Sequence, residues 1–252
     1  MELRLIRHAT MVVTTAAGKL LVDPLFSPAG AMPPIDNSAN DRRNPLVELP
    51  VSVTELKKVD AVLVTHTHRD HFDAAAAEGL PKEIALFCQP ADEQKLRDLE
   101  FARVNPVADS LTWGTLRISR TGGQHGTGVI GEKMGPVSGY VLQQAGEPTL
   151  YIAGDTVWCP VVADSLAQYQ PDVIVLFAGA AQFLTGDPIT MSAADVAAVC
   201  RAAPTAQVVV VHMESFNHCL LTRQQLSDYL AGEGLLEQVT IPSDGDVLEF
   251  QV

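Results

Sequence analysis

The sequence predicts an α/β chain in which two β-sheets pack face to face with helices on their outer faces. Short apolar runs of strand length recur in both halves. Stretches with helical spacing separate only some of these runs. Strands therefore arrive in groups, which the strict alternation of a doubly wound sheet does not produce. At 252 residues, 47% hydrophobic and 19% charged, the chain has core material for one domain spanning 1–252.

The first segment reads as three strands, ELRLIR, MVVTTA and KLLVDP, with a turn at AAGK. Residues 23–50 hold six of the sixteen prolines and follow neither period. A long insert of this kind reads equally well as a lid over a site and as plain surface. DAVLVTH and EIALFCQ are buried strands, and ADEQKLRDLEF is a helix between strands. TLRISRT, SGYVLQQ and TLYIAGD follow as strands, VVADSLAQY as a helix and DVIVLFAG as a buried strand. SAADVAAVCRAA is a helix with Ser192 at its N-cap and Asp195 three residues on, close to a capping box. AQVVVVHM is a strand, and TRQQLSDYLAGEG is a helix ending at glycine. QVTIPSDGDVLEFQV reads as a closing hairpin turned at Asp244-Gly245.

The formal net charge is -13, and the 17 Lys and Arg residues are scattered, with Arg42-Arg43 the nearest thing to a cluster. Such a surface repels phosphate backbones and argues against a nucleic-acid partner. Cys88, Cys159, Cys200 and Cys219 form no CxxC pair, and MELRLIRHAT lacks a signal-peptide core. Free thiols in the cytoplasm are the expectation. No apolar run reaches 18 residues, so no membrane span is expected.

Three of the seven histidines fall in VTHTHRDHFDA, residues 64–74. The pattern His66-x-His68-x-Asp70-His71 has a chance probability on the order of 10⁻⁴ in this composition. His66 and His68 are two apart after a strand, so on extended backbone both rings project to one side and suit one metal ion. Asp70 and His71 lie past the strand end and can reach a second ion. The plainer alternative is a polar loop capping the next helix through Asp70 or Asp73. One loop cannot complete two sites. His212 ends the run VVVV, His125 sits in TGGQHGTG, and Asp155 follows TLYIAG. All three have the context of ligands. Gly126 to Gly131 spells GxGxxG, but SRTGGQH precedes it and EKMGPVSGY follows, so the strand and helix of a dinucleotide fingerprint are not expected.

THTHRDH, His125, Asp155 in YIAGDT and His212, in that order and at gaps of tens of residues, resemble the metallo-β-lactamase fold superfamily from end to end. The words RHAT, LLVDPLFS and VVVVHMESFNH are similar to the branch with ascorbate-6-phosphate lactonase and the N-acyl-phosphatidylethanolamine phospholipase D-like hydrolases. The resemblance implies a four-layer αββα sandwich of two mixed sheets. It implies that His66, His68 and His125 bind one ion, that Asp70, His71 and His212 bind a second, and that Asp155 bridges them. Two divalent ions are implied, with Zn²⁺ favoured and Mn²⁺ or Fe²⁺ as rivals. A hydroxide between them would cleave a small lactone, ester or phosphodiester, with Asp70 and Asp155 as the catalytic carboxylates. β-Lactamases of this fold tend to carry cysteine at the position of Asp155, and redox diiron relatives tend to carry Glu at that of His68. The first departure speaks against antibiotic hydrolysis, and the second favours hydrolysis over electron transfer.

Beyond the ligands, His8, Arg42, Arg43 and His218 are the candidate substrate contacts. The substrate is a small molecule, anionic ones included, and homo-oligomers are left open. A nuclease on the same fold would need a basic surface that this chain lacks. A metal-holding sensor without turnover is the other rival.

Overall fold

A computed structural model describes residues 1–251. The first sheet contains β1 (Glu2–Arg7), β2 (Thr10–Thr15), β3 (Gly18–Val22), β4 (Ala61–Val64), β5 (Ala85–Cys88) and β6 (Val104–Pro106). The second contains β7 (Ser110–Trp113), β8 (Leu116–Thr121), β9 (Gly139–Gln143), β10 (Leu150–Ile152), β11 (Val173–Phe177), β12 (Gln207–Val211) and β13 (Val239–Thr240). β14 (Val247–Glu249) returns to the first sheet beside β1. Both sheets are mixed: β14-β1-β2-β3 run antiparallel and β3-β4-β5-β6 parallel, while β7 to β10 run antiparallel and β10 to β13 parallel.

The period of two along each strand divides the core into layers. In β4, Ala61 and Leu63 face the space between the sheets, while Val62 and Val64 face outward under α2 (Ala74–Gly79) and α3 (Glu93–Asp98). In β11, Val173, Val175 and Phe177 face inward, and Ile174 and Leu176 pack under α5 (Pro160–Tyr169), α6 (Ala193–Ala202) and α7 (Arg223–Gly232). A strand covered on both faces reads as a continuous apolar run, which is why AVLV and VIVLF carry no polar alternation. The architecture is a four-layer αββα sandwich. The capping box at Ser192–Asp195 is formed, and Thr222 with Gln225 makes a second one at α7.

Three expectations need correction. The closing hairpin does not form: the Asp244-Gly245 turn is present, but β13 pairs with β12 and β14 pairs with β1, so the chain crosses between sheets there. A helix α4 (Gly128–Met134) does form despite its glycines, but residues 122–127 are loop, so no strand leads into it. The strands β6 and β7 and the single-turn α1 (Val53–Leu56) were not foreseen. Between β3 and α1 the proline-rich segment has no regular element beyond one bridge, Met32 to Asn44.

Candidate metal centre

Strand ends converge at one edge of the sandwich. His8 follows β1, Asp23 follows β3 and His212 follows β12 directly. His66 follows β4 after Thr65, and Asp155 follows β10 across Ala153-Gly154. His125 lies in the loop between β8 and α4. Carboxyl ends of strands are where α/β sheets bind ligands, since loops there point side chains together beyond the core. Gly154 sets the aim of Asp155: its φ is +71°, and a Cβ there would meet Ser138 O at 2.5 Å.

β4 stops at Val64, and a turn follows in which His71 N and Phe72 N donate to His68 O (3.0 and 2.9 Å). The rings of His66 and His68 lie on one side, with His66 Nε2 and His68 Nδ1 2.9 Å apart. Asp73 closes the loop as N-cap of α2 and also accepts from Ser27 N at 2.7 Å.

Donor atoms collect in three groups, each within 4.8 Å: His66, His68 and His125; His66, His71 and Asp155; and His8, Asp70, His71 and His212. Asp155 is central. Its Oδ2 lies 3.2 Å from His71 Nε2 and 3.4 Å from His125 Nε2, and its Oδ1 lies 3.4 Å from His212 Nε2. Asp70 Oδ2 lies 3.4 Å from His8 Nε2, 3.7 Å from His212 Nε2 and 4.0 Å from His218 Nε2.

Hydrogen bonds on the outer side decide which nitrogens face inward. His125 Nδ1 is 2.8 Å from Ile189 O, which can only accept, so Nδ1 carries the proton and Nε2 keeps its lone pair. His71 Nδ1 donates to Asp23 Oδ2 at 2.8 Å, and Thr65 N and Oγ1 each hold that carboxylate at 2.7 Å. This is the arrangement that orients metal-binding imidazoles. Asp155 Oδ1 is buried and has no hydrogen bond. An inward-facing set of imidazole lone pairs and carboxylate oxygens fits a divalent cation and little else.

Electrostatics agree with that fit. Burial holds His66 and His125 below the usual imidazole range, so both are neutral and able to ligate. At His71 and His212 burial works the same way but is outweighed by carboxylates, Asp155 foremost. His71 is raised well above the usual range and His212 to about 10. Their Nε2 atoms face each other at 3.2 Å, where one proton fits between them and two do not. Burial disfavours charge on Asp70 and Asp155, but the surrounding imidazoles outweigh it and keep both ionised.

A cavity of about 200 Å³ opens on the cluster. His68, Asp70, His125, Asp155 and His218 form its polar floor. Ile35, Met134, Phe183 and Ile189 form an apolar wall, and Arg69 sits at the side. His218 therefore faces the cavity, whereas His8 does not. His8 is 1% exposed and packs against the His212 and Phe216 rings in tilted contacts, at ring distances of 3.7 and 4.6 Å. Arg42 and Arg43 are exposed and do not line the cavity; Arg43 donates to Gly30 O and Ala31 O. Sequence reasoning missed Asp23, Arg69 and the apolar wall. Asp23 had a signal, since it ends the run KLLV as Asp155 ends TLYIAG.

Comparison with known proteins places the chain. A model of the beta-lactamase superfamily domain matches residues 19–213. UPF0173 protein YddR of Bacillus subtilis (strain 168) is 37% identical over 254 residues, covering 99% of this chain and 100% of that protein. The chain belongs to the UPF0173 metal-dependent hydrolase family. Two crystal structures are similar to this UPF0173 chain throughout. An isothiocyanate hydrolase from Delia radicum gut bacteria aligns with a TM-score of 0.96 and 38% identity over 100% of both chains. A possible metal-dependent hydrolase from Veillonella parvula DSM 2008 aligns with a TM-score of 0.95 and 32% identity over 98% of both. No helix among the described residues is long and apolar enough to cross a membrane.

Proposed function

We propose that this UPF0173 chain is a cytoplasmic hydrolase of small molecules, one domain over 1–252, that works with two divalent metal ions. In this reading His66, His68 and His125 hold one ion, Asp70, His71 and His212 hold the other, and Asp155 serves both. Zn²⁺ is favoured for a mixed imidazole and carboxylate set, with Mn²⁺ and Fe²⁺ as rivals. The observation that carries the reading is the convergence of the donor groups on Asp155, whose two oxygens face different histidines. All four cysteines are unpaired, in keeping with a reducing compartment.

Divalent cations held by these residues would supply Lewis-acid chemistry, lowering the pKa of water at the cavity floor. The chain's own residues do the rest. Thr65 and Asp23 lock the His71 ring, and Ile189 O locks that of His125. Asp70 lies on the cavity floor, where its carboxylate accepts the proton of the attacking water. The floor thus presents a nucleophile to an electrophilic carbon or phosphorus, as in a lactone, ester or phosphodiester. The similar protein described as an isothiocyanate hydrolase adds a further carbon electrophile, R–N=C=S. Water adds across its C=N bond, the thiocarbamic acid breaks at C–N, and the amine and carbonyl sulfide leave; one water balances the reaction.

The test is a panel of lactones, carboxylate esters, phosphodiesters and isothiocyanates, run on protein of measured metal content. Turnover of one class names the bond. Full metal content with no turnover on any class would overturn the hydrolase reading.

A further inference from the structure

We propose that residues 32–44 form a fixed strap that completes the substrate site, with Asn217 as its positioning residue and Ile35 as the side chain it delivers. The subsite so built takes the apolar substituent of an uncharged substrate. The proposal rests on the hydrolase reading above and names the substrate class for the same cavity.

The strap is closed at its base by paired bonds, Met32 N to Asn44 O at 2.7 Å and Asn44 N to Met32 O at 2.9 Å. A loop of this length turns many backbone groups toward its own interior, and each needs a partner there. One residue from outside supplies several of them. Asn217, 1% exposed, accepts at Oδ1 from Ile35 N (2.9 Å) and Asn44 Nδ2 (2.8 Å). Its Nδ2 donates to Asn40 O (2.8 Å) and Ser38 Oγ (2.5 Å). Its backbone N donates to Asn44 Oδ1 and its O accepts from Asn40 Nδ2, both at 2.9 Å. Two further bonds fix the strap on either side of Ile35: Arg69 Nη2 to Pro34 O at 2.7 Å, and Leu184 N to Asn37 O at 2.6 Å.

The same three-residue stretch ties the strap to the chemistry. Phe216 packs on His8, Asn217 fills the strap, and His218 lines the cavity floor. Ile35 joins Met134, Phe183 and Ile189 in the apolar part of the same lining. Arg69 is the one Lys or Arg in the lining, and its Nη2 is committed to the strap. Arg69 is exposed, so an anionic group would find no buried Lys or Arg in this lining, whereas an alkyl or aryl group would leave water for an apolar wall.

The test uses the metal-loaded protein and two isothiocyanates, methyl and 2-phenylethyl, with a phosphodiester as contrast. Ile35→Ala, a half-buried position, should raise KM for the phenylethyl substrate about tenfold, leave kcat within about twofold and leave the methyl substrate unchanged. Asn217→Ala should lose the same discrimination and show faster hydrogen exchange across 32–44, with metal content as in the unmodified protein. An unchanged phenylethyl-to-methyl ratio in Ile35→Ala, or faster turnover of the phosphodiester than of either neutral substrate, overturns the subsite. Unchanged exchange in Asn217→Ala overturns the positioning role. That arm needs no substrate, so it decides the strap even if the unmodified protein turns over nothing, an outcome that would count against the hydrolase reading alone.

Discussion

The loop after β4 and the strap over residues 32–44 border the same cavity, but they hold their shapes differently. The ligand loop is shaped first by its own groups, since His68 O closes its turn and Asp73 caps the helix that follows, with Asp23 and Ser27 N bracing it from outside. The strap depends on distant residues, namely Asn217, Arg69 and Leu184. Its flanks depend on another, the fully buried Arg7, which donates to Val47 O, Leu25 O and Ser27 O. Burial lowers the Arg7 guanidinium to about 10 while nearby Asp73, Asp244 and Glu48 keep it charged. The two loops therefore divide the work. One carries chemistry in adjacent letters, and the other carries selectivity through contacts that no local word announces.

Changes on the ligand side should have the largest effects. Asp155→Ala should lower turnover by about a thousandfold or more and reduce bound metal, because both donor groups lose their shared carboxylate. Circular dichroism should remain that of the parent; retained activity would remove Asp155 from the centre. Asp23→Asn comes next. It weakens the bond that aims His71 and should cost about 10- to 100-fold in metal affinity, read by chelator competition.

Proton linkage gives a third test. His71 and His212 are raised above the usual imidazole range, so the metal-free pair is protonated at pH 7. A cation must displace that shared proton, so affinity should rise as pH increases from 6 to 8. Calorimetry in two buffers of different ionisation enthalpy should find about one proton released per chain from this pair. A flat pH profile would break the assignment. The smallest effect belongs on the strap's outer side. Arg42→Ala should leave kcat and KM within about twofold and stability within about 0.5 kcal/mol, since its side chain is exposed and off the cavity.

The ligand candidates were legible because each stands beside a strong local pattern. THTHRDH follows the apolar run AVLV, and Asp155 and His212 end runs of their own. The layered fold was legible for the same reason, as strands buried on both faces leave unbroken apolar runs. What stayed hidden depends on tertiary partners. The turn at Asp244-Gly245 was readable, but turn chemistry does not say which sheet each arm joins. Helix α4 buries none of its own residues and carries two glycines, so neither period nor propensity marks it. The cavity wall draws Ile35, Phe183 and Ile189 from loops and Met134 from a helix end, with no common spacing to betray it.

His8 and His212 both hold left-handed backbone, at φ of 60° and 66°, and His212 N donates to His8 O across the seam between the sheets. For a residue with a side chain this conformation costs about 1–2 kcal/mol, and glycine or asparagine relieves it. Laboratory evolution toward heat resistance alone would therefore be drawn to these two positions. Its survivors would keep the sandwich and lose imidazoles from the edge. A screen that also scores retained metal would hold both histidines in place and direct the stabilising changes elsewhere.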